Sequence, residues 1–299
     1  MDNVKKLWPL LTATHRYDKS ISTHGRGAGE MIDAPVLAYL IETANGRILY
    51  DVGCDYGKIN DPARCAHYYD PQKFHFGAPA MTEAQRLPSY LARLGLSPVD
   101  IDVVFIGHLH FDHAGGLGEL QRLTGARAAA SASSAKVLTS GESGPDDPQY
   151  GILPPIDRLR NVDVVREGQV VKVGSLIARP HMAPGHTPGG TTWTWKSCEG
   201  DRCLDVVYAD SVTPVSADGF KYATSPLSKA FEQTFAALET MRCDILLTPH
   251  PAFAQVLEKL AAREMGKTDA FIDPGACRAY AATGRKNLAT RLETERKGK

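Results

Sequence analysis

The chain lacks any excess of charge: 34 Lys and Arg balance 34 Asp and Glu over 299 residues. That removes the electrostatic footprint of a nucleic-acid binder, and no nucleic-acid partner is expected. No apolar run approaches the roughly 20 residues of a membrane span, so no membrane partner is expected either. The opening stretch MDNVKKLWPLLTATHRYD has two lysines, a brief apolar patch and no small-residue cleavage site, and does not read as a signal peptide. The expected compartment is the cytoplasm, or the periplasm with a leader already removed. None of the six cysteines forms a C-x-x-C pair. Cys198 and Cys203 flank a turn between two strand-like runs, where a bridge would imply an oxidising compartment. Six cysteines are equally ordinary in a cytosolic enzyme. No G-x-S-x-G elbow, Walker loop or dinucleotide glycine pattern occurs, which removes the commonest serine nucleophile and nucleotide-binding routes. No internal repeat or low-complexity tract stands out.

What is present is an ordinary globular composition, 43% apolar and 23% charged, with length for one large domain or two small ones. Residues 35–43 and 47–53 are β-rich runs joined by A-N-G and read as a hairpin. Residues 81–96 have helical spacing, with Thr82 as cap and Pro88 in the first turns. A buried strand over 101–107 runs straight into G-H-L-H-F-D-H, followed by a helix over 116–125 and a strand in ARAAASA. Residues 162–184 suggest a β-meander, and TTWTWKS and CLDVVYAD two further strands. Residues 225–243 form a strongly amphipathic helix entered through Ser225 and Pro226. DILLTPHP is a short strand ending in a histidine, and the last twenty residues read as a polar terminal helix. Two β-rich halves, each closed by helices, predict an α/β (α+β) architecture: a four-layer αβ/βα sandwich with one site between the halves.

The chemistry lies in H-x-H-x-D-H. His108 and His110 alternate with Leu109, so on extended backbone they point the same way. Zinc needs about four N, S or O ligands, and histidine is its usual nitrogen source. A first zinc is expected on His108, His110 and His186, and a second on Asp112, His113 and His250, with Asp210 a candidate bridge. Taken singly, His186 and His250 read as ordinary loop histidines and Asp210 as a turn former; the clustered motif changes that reading. Gly107, Gly115 and Gly116 flank the ligand turn, and Gly185, Gly189 and Gly190 flank His186. His15, His24, His67, His75 and His181 are unassigned, with His24 or His75 as candidate pocket residues. Two zinc ions about 3.5–4 Å apart lower the pKa of a shared water to about 7, so a nucleophile exists at neutral pH without serine or cysteine. Asp112 would bind the second metal and orient that nucleophile.

H-L-H-F-D-H with the distal His186, Asp210 and His250 resembles the metallo-β-lactamase superfamily over the whole of residues 1–299, read as one domain. Residues 1–118 resemble the N-acyl-homoserine lactonases. The marks are G-E-M-I-D-A-P-V-L-A-Y-L-I-E-T, N-G-R-I-L-Y-D-V-G, the long insertion from Cys54 to Pro79 and M-T-E-A-Q-R-L. Residues 119–299 resemble subclass B3 metallo-β-lactamases, through P-G-H-T-P-G-G-T-T-W-T-W-K-S-C-E-G-D-R-C, V-V-Y-A-D-S-V-T-P-V-S-A-D-G-F and C-D-I-L-L-T-P-H-P. The second resemblance implies that Ser211 and Thr213 contact the carboxylate of a β-lactam, and that Cys198–Cys203 and Cys243–Cys277 are bridged. Lactonases of this type carry a tyrosine just after the bridging aspartate, whereas here Ser211, Val212 and Thr213 follow Asp210. Asp210 is therefore a bridge on the lactonase reading and stands behind the ligands on the lactamase reading. The contrast between halves suggests a recombined or engineered gene with a seam near residues 114–125; a uniform match across that seam would count against it.

The expected function is β-lactam ring opening by a di-zinc centre acting on a small-molecule substrate. The alternative is lactone hydrolysis on acyl-homoserine lactones, with the N-terminal segment and the 54–79 insertion shaping an acyl groove. The loop at 139–160 is expected to border the pocket. A third reading is a folded metal-binding scaffold with little activity, because catalysis is sensitive to errors of about 1 Å in the supporting shell.

Overall fold

Neighbouring residues of the same strand bury into different cores, and that parity builds the layers. A computed structural model describes residues 4–23 and 26–298. Its strands are β1 (Val4–Asp18), β2 (Met31–Thr43), β3 (Arg47–Tyr50), β4 (Val103–Phe105), β5 (Arg127–Ser131), β6 (Val162–Val165), β7 (Val171–Val173), β8 (Leu176–Met182), β9 (Thr191–Glu199), β10 (Arg202–Tyr208) and β11 (Ile245–Leu247). Its helices are α1 (Lys19–Thr23), α2 (Tyr56–Asn60), α3 (Pro62–Tyr68), α4 (Leu87–Arg93), α5 (Phe111–Ala114), α6 (Leu117–Thr124), α7 (Ala132–Ser140), α8 (Leu227–Thr240), α9 (Val256–Glu264) and α10 (Ala276–Arg296).

Six strands form one sheet in the order β1-β2-β3-β4-β5-β6, and five form a second in the order β11-β10-β9-β8-β7. In the first sheet β1, β2 and β3 are antiparallel and β3 to β6 run parallel. The expected hairpin is β2–β3, closed where the Thr43 N–H donates to the Gly46 carbonyl at 2.9 Å. Leu37, Tyr39, Ile41, Ile48, Tyr50, Val103 and Phe105 face inward and share a core with Trp193, Trp195, Val206 and Tyr208 of the second sheet. The residues between them, Ala38, Leu40, Leu49 and Val104, face outward onto Leu87 and Leu91 of α4, Leu117 and Leu120 of α6 and Leu138 of α7. Strand side chains alternate with a period of two, so a sheet buried on both faces reads as a continuous apolar run, as residues 35–41 and 103–106 do. On the other side Phe231, Phe235 and Leu238 of α8 and Tyr280 and Leu288 of α10 cover the second sheet. Helix, sheet, sheet and helix layers follow, as the sequence predicts. Phe105 and Trp193 join the sheets face to face with centroids 4.0 Å apart, and the Trp193 indole N–H donates to the Ile106 carbonyl at 3.1 Å. Aromatic pairs of this kind contribute about 0.5–1.5 kcal/mol beyond their buried area.

Several boundaries differ from the sequence reading. The stretch 162–184 is not one meander: β6 pairs with β5 in the first sheet, whereas β7 and β8 form a hairpin in the second. The helix expected over 81–96 divides into a short 3-10 turn at Glu83–Gln85 and α4, whose first turn contains Pro88, where its missing N–H costs nothing. The terminal helix begins earlier than expected, at Ala276, and is not polar all round, since Tyr280, Ala281, Leu288 and Arg291 are buried. No folding boundary falls near residue 118: the first sheet takes β1 to β4 from before it and β5 and β6 from after it. Cys198 and Cys203 face each other in the β9–β10 register and are bridged, and Cys243 is bridged to Cys277 at the start of α10. Cys54 and Cys65 are free thiols. Among the described residues no helix is long and apolar enough to cross a membrane.

Candidate metal centre

β4 ends at Phe105, and the chain leaves the sheet through Ile106 and Gly107 to present His108-Leu109-His110 at the rim. α5 starts at Phe111, so Asp112 and His113 lie in its first turn. His186 comes from the loop between β8 and β9, and His250 from the turn after β11. Both sheets thus deliver ligands to the same edge. One potential ligand atom each from His108, His110 and His186 lie within 4.8 Å of one another, and the same holds for Asp112, His113 and His250. These are the two sets expected from the sequence. A tetrahedral ion with bonds of about 2.0–2.1 Å holds neighbouring ligand atoms roughly 3.3–3.4 Å apart. His186 Nε2 lies 3.2 Å from His110 Nδ1, and Asp112 Oδ2 lies 3.3 Å from His113 Nε2 and 3.6 Å from His250 Nε2.

Buried polar atoms without partners carry the fit to a cation. His108 Nε2 and His113 Nε2, the ring nitrogens turned to the centre, are buried and lack an aligned hydrogen-bond partner. Each unpaired buried polar group costs about 1–3 kcal/mol, so such a concentration is unfavourable unless a cation completes it. A set of imidazoles and one carboxylate is the donor chemistry zinc prefers.

A second ring of groups fixes these ligands. His108 Nδ1 is 2.7 Å from Asp210 Oδ1, and His186 Nδ1 is 2.7 Å from the Thr213 carbonyl, which leaves Nε2 of each ring facing the centre. Asp51 is fully buried in the left-handed region at φ 51°. Its Oδ1 accepts from the Gly107 N–H at 2.9 Å, its Oδ2 accepts from the Tyr208 hydroxyl at 2.9 Å, and Oδ2 also lies 3.2 Å from His113 Nδ1. A non-glycine residue at positive φ is uncommon and clusters at functional sites. His110 is touched by Gln149 Nε2 at 3.2 Å and lies 3.6 Å from Asp147. The glycines fit the expected cup. A Cβ on Gly190 would meet the Asp210 carboxylate and the Ala183 carbonyl, and one on Gly115 the Phe111 carbonyl.

Charge is distributed unevenly over the centre. Burial, reinforced by the neighbouring imidazoles, holds His108 well below the ordinary histidine value. Burial and His110 take His186 down to about 3, and burial takes His250 to about 4 against the pull of Asp112. Burial also opposes the charged forms of His113 and Asp112, but each stabilises the other. His113 rises to about 10 beside Asp112 and Asp51, and Asp112 falls far below the usual carboxylate range.

A pocket of about 360 Å³ opens over the centre. His110, Asp112, His186 and His250 form its floor, with Thr213 and Gln149 beside them. Gln149 places the 139–160 loop at the pocket, as expected. β1, α1 and β2 supply one wall, Phe76 of the 54–79 insertion another, and α10 closes the far side. Of the two expected carboxylate-binding residues, Thr213 lines the pocket. Ser211 is buried, with its hydroxyl 2.9 Å from that of Thr213. Asp210 lies behind His108 and outside both ligand sets. His24 lies outside the described residues, and His75 is exposed and not among the residues lining this pocket. His181 bonds Glu167 and Thr194 on the second sheet. Asp51, Asp147, Gln149 and His15 were not singled out by the sequence reading. Only Asp51, at the end of the apolar run R-I-L-Y, had a local signal: an acid where a buried strand stops.

The family described as Metallo-beta-lactamase superfamily matches residues 31–250. The solved structure of the Rm3 metallo-beta-lactamase superposes with a TM-score of 0.75 at 35% identity, covering 98% of this chain and 96% of that one. MEM-A1, a subclass B3 metallo-beta-lactamase isolated from a soil metagenome library, superposes with a TM-score of 0.75 at 31% identity, covering 100% and 99%. That match runs through residues 114–125. An N-acyl homoserine lactonase of Bacillus sp is 36% identical over 116 residues, which are 38% of this chain and 45% of that relative. The match to the lactonase thus spans under half of its length.

Proposed function

Because this chain belongs to the metallo-β-lactamase superfamily, we propose that it is a di-zinc hydrolase that opens the β-lactam ring of a small-molecule substrate. The observation that carries this reading is the rim after β10. Asp210 holds His108 and lies outside both ligand sets, and Thr213, two residues past Ser211, lines the pocket. The whole-length likeness to lactamases, MEM-A1 of subclass B3 among them, supports it.

His108, His110 and His186 would hold one zinc and Asp112, His113 and His250 the other. When bound, the pair supplies Lewis acidity and a water made nucleophilic at neutral pH. The chain does the rest. Asp210, Asp51 and the Thr213 carbonyl hold three imidazoles by their Nδ1 atoms, so that each Nε2 faces inward. Asp112 Oδ2 lies 3.3 Å from His113 Nε2 and 3.6 Å from His250 Nε2, so the three groups face one another across the second site. The Thr213 hydroxyl, 2.9 Å from that of Ser211 and 3.3 Å from His186 Nδ1, would bind the substrate carboxylate. Apolar residues such as Val36, Phe111 and Phe253 in the pocket lining limit access of water. Bridges at Cys198–Cys203 and Cys243–Cys277 suit an oxidising compartment and favour the periplasm over the cytoplasm.

The second reading is lactone hydrolysis by the same centre. It is favoured by the partial lactonase match and by a pocket wall built from β1, β2 and Phe76. Paired turnover decides between them. Zinc-loaded protein is given a chromogenic cephalosporin and an N-acyl homoserine lactone, each against a His110→Ala control. Lactam turnover abolished in the control is the expected result; lactone turnover alone would replace the first reading by the second. Zinc binding without turnover of either would leave a metal-binding scaffold.

A further inference from the structure

His15 is buried in the wall of the pocket, 5% exposed, and its position is fixed from several sides. On its strand, Thr14 and Ala80 exchange backbone hydrogen bonds at 2.9 and 2.8 Å, which pins β1 to the end of the 54–79 insertion. The imidazole Nε2 lies 2.8 Å from the Gly77 carbonyl and 3.2 Å from that of Phe76. Two carbonyl oxygens can be satisfied only by an N–H, so the proton sits on Nε2. Burial, opposed by these two carbonyls and by Asp112, lowers the pKa of this ring and favours its neutral form. Nδ1 is then a bare acceptor, and it has no partner among the described residues. The ring cannot turn away. Phe74 stacks on it at 5.9 Å, Tyr17 packs at 5.1 Å, and Phe111 meets it edge-on at 5.5 Å. Phe111, whose ring meets the imidazole, immediately precedes Asp112 in the chain, and both His15 and Asp112 line the pocket. Beside it the wall is apolar, with Ile32, Val36 and Phe76.

We propose that His15 is a specificity-determining residue: its Nδ1 accepts a hydrogen bond from the N–H of an acylamino group next to the scissile ring, and the apolar wall takes the acyl chain. The inference rests on the ring-hydrolase reading and narrows it to cyclic substrates carrying a secondary amide at that position. A fixed acceptor selects a donor because a substrate lacking one leaves the imidazole nitrogen desolvated and unpaired. An acylamino group supplies the donor and the apolar chain together; an unsubstituted ring supplies neither.

The test compares pairs that differ in that group: benzylpenicillin with penicillanic acid, and an N-acyl homoserine lactone with γ-butyrolactone. Turnover and calorimetric affinity for the ring-opened products are measured on the unaltered protein, His15→Phe and His15→Gln. The phenyl ring keeps the aromatic packing and removes the acceptor. The glutamine amide can still donate to Gly77 and present an oxygen. A neutral hydrogen bond corresponds to roughly a 2- to 10-fold preference. The expected result is a preference for the acylamino member that falls by that factor in His15→Phe and returns in His15→Gln. Equal losses on both members of a pair would show a merely structural role and overturn the proposal, as would an unchanged preference or no binding of any product. If no ring is opened but product binding shows the His15-dependent preference, the recognition stands and the hydrolase reading falls.

Discussion

Asp51→Asn separates the support of the metal ligands from the support of the fold. Asparagine tolerates the left-handed backbone at this position, where φ is 51°. Its carbonyl oxygen can still accept from the Gly107 N–H, and its amide can donate to the Tyr208 hydroxyl, so the two hydrogen bonds made by Asp51 at 2.9 Å have replacements. The 3.2 Å contact with His113 Nδ1 has none, because the amide NH₂ now meets an N–H. Relief requires the imidazole proton to move to Nε2, the nitrogen that faces Asp112 and would bind zinc. Loss of such outer support costs roughly 10- to 100-fold in metal affinity, or about 1.4–2.7 kcal/mol. Asp51→Ala would in addition leave the buried Gly107 N–H and Tyr208 O–H unpaired, at about 1–3 kcal/mol each. The assay is zinc content after dialysis against graded chelator, alongside denaturant melts of the metal-free protein. Asn is expected to lower affinity for the second zinc alone with a stability loss near 1 kcal/mol, and Ala to lower both by more. Two-zinc affinity within twofold of the unaltered protein in Asp51→Asn would refute the assigned role of Asp51.

Zinc loading at pH 7.5 should release close to one proton from His113, whose pKa of about 10 keeps it charged in the metal-free protein; calorimetry in buffers of different ionisation enthalpy reads it, and no release would contradict the charged state. In the metal-free protein that raised pKa adds stability fully present below the unfolded value of about 6.5 and lost as pH climbs through about 10. His186 and His250, lowered to about 3 and about 4, act in the opposite sense, and their contribution is present above about pH 6.5 and lost as pH falls through those values. Denaturant midpoints should therefore decline on both sides of neutrality, and zinc should flatten the profile. Thr213→Val should reduce kcat/KM for a carboxylate-bearing β-lactam about 10- to 100-fold, the value of a hydrogen bond to a charged group. His186 should keep its place, because its 2.7 Å partner is the backbone carbonyl of residue 213, so zinc content is expected to be unchanged. Thiol titration of the denatured, unreduced protein should find two of the six cysteines, Cys54 and Cys65; a count of six would remove both bridges.

The contrast that the sequence suggests between a lactonase-like front and a lactamase-like back does not correspond to two folding units. A seam at residues 114–125 would cut the first sheet between β4 and β5, and the whole-length likeness to MEM-A1 crosses it. Subclass-level sequence marks report local pocket chemistry, whereas the sheet is set by the burial of alternating residues on both of its faces.

By itself the sequence determined the layers and the two candidate ligand sets. Apolar runs of strand length, an amphipathic α8 and closely spaced histidines are local patterns, and burial or metal chemistry admits few other uses for them. The tertiary structure decided what depends on approach from distant parts of the chain. β6 follows the same β-rich stretch as β7 but joins the other sheet, because strand pairing is decided by which edge lies open. Asp51 meets His113, Asp210 stands behind His108, and Gln149 touches His110, each across tens of residues with no spacing to announce it. His15 is an ordinary histidine in the sequence; two carbonyls and three aromatic rings, all but Tyr17 far along the chain, orient its free nitrogen. Periodicity and motif spacing record what a residue needs from its neighbours in sequence, but the partner that fixes a ring or a carboxylate is chosen by packing.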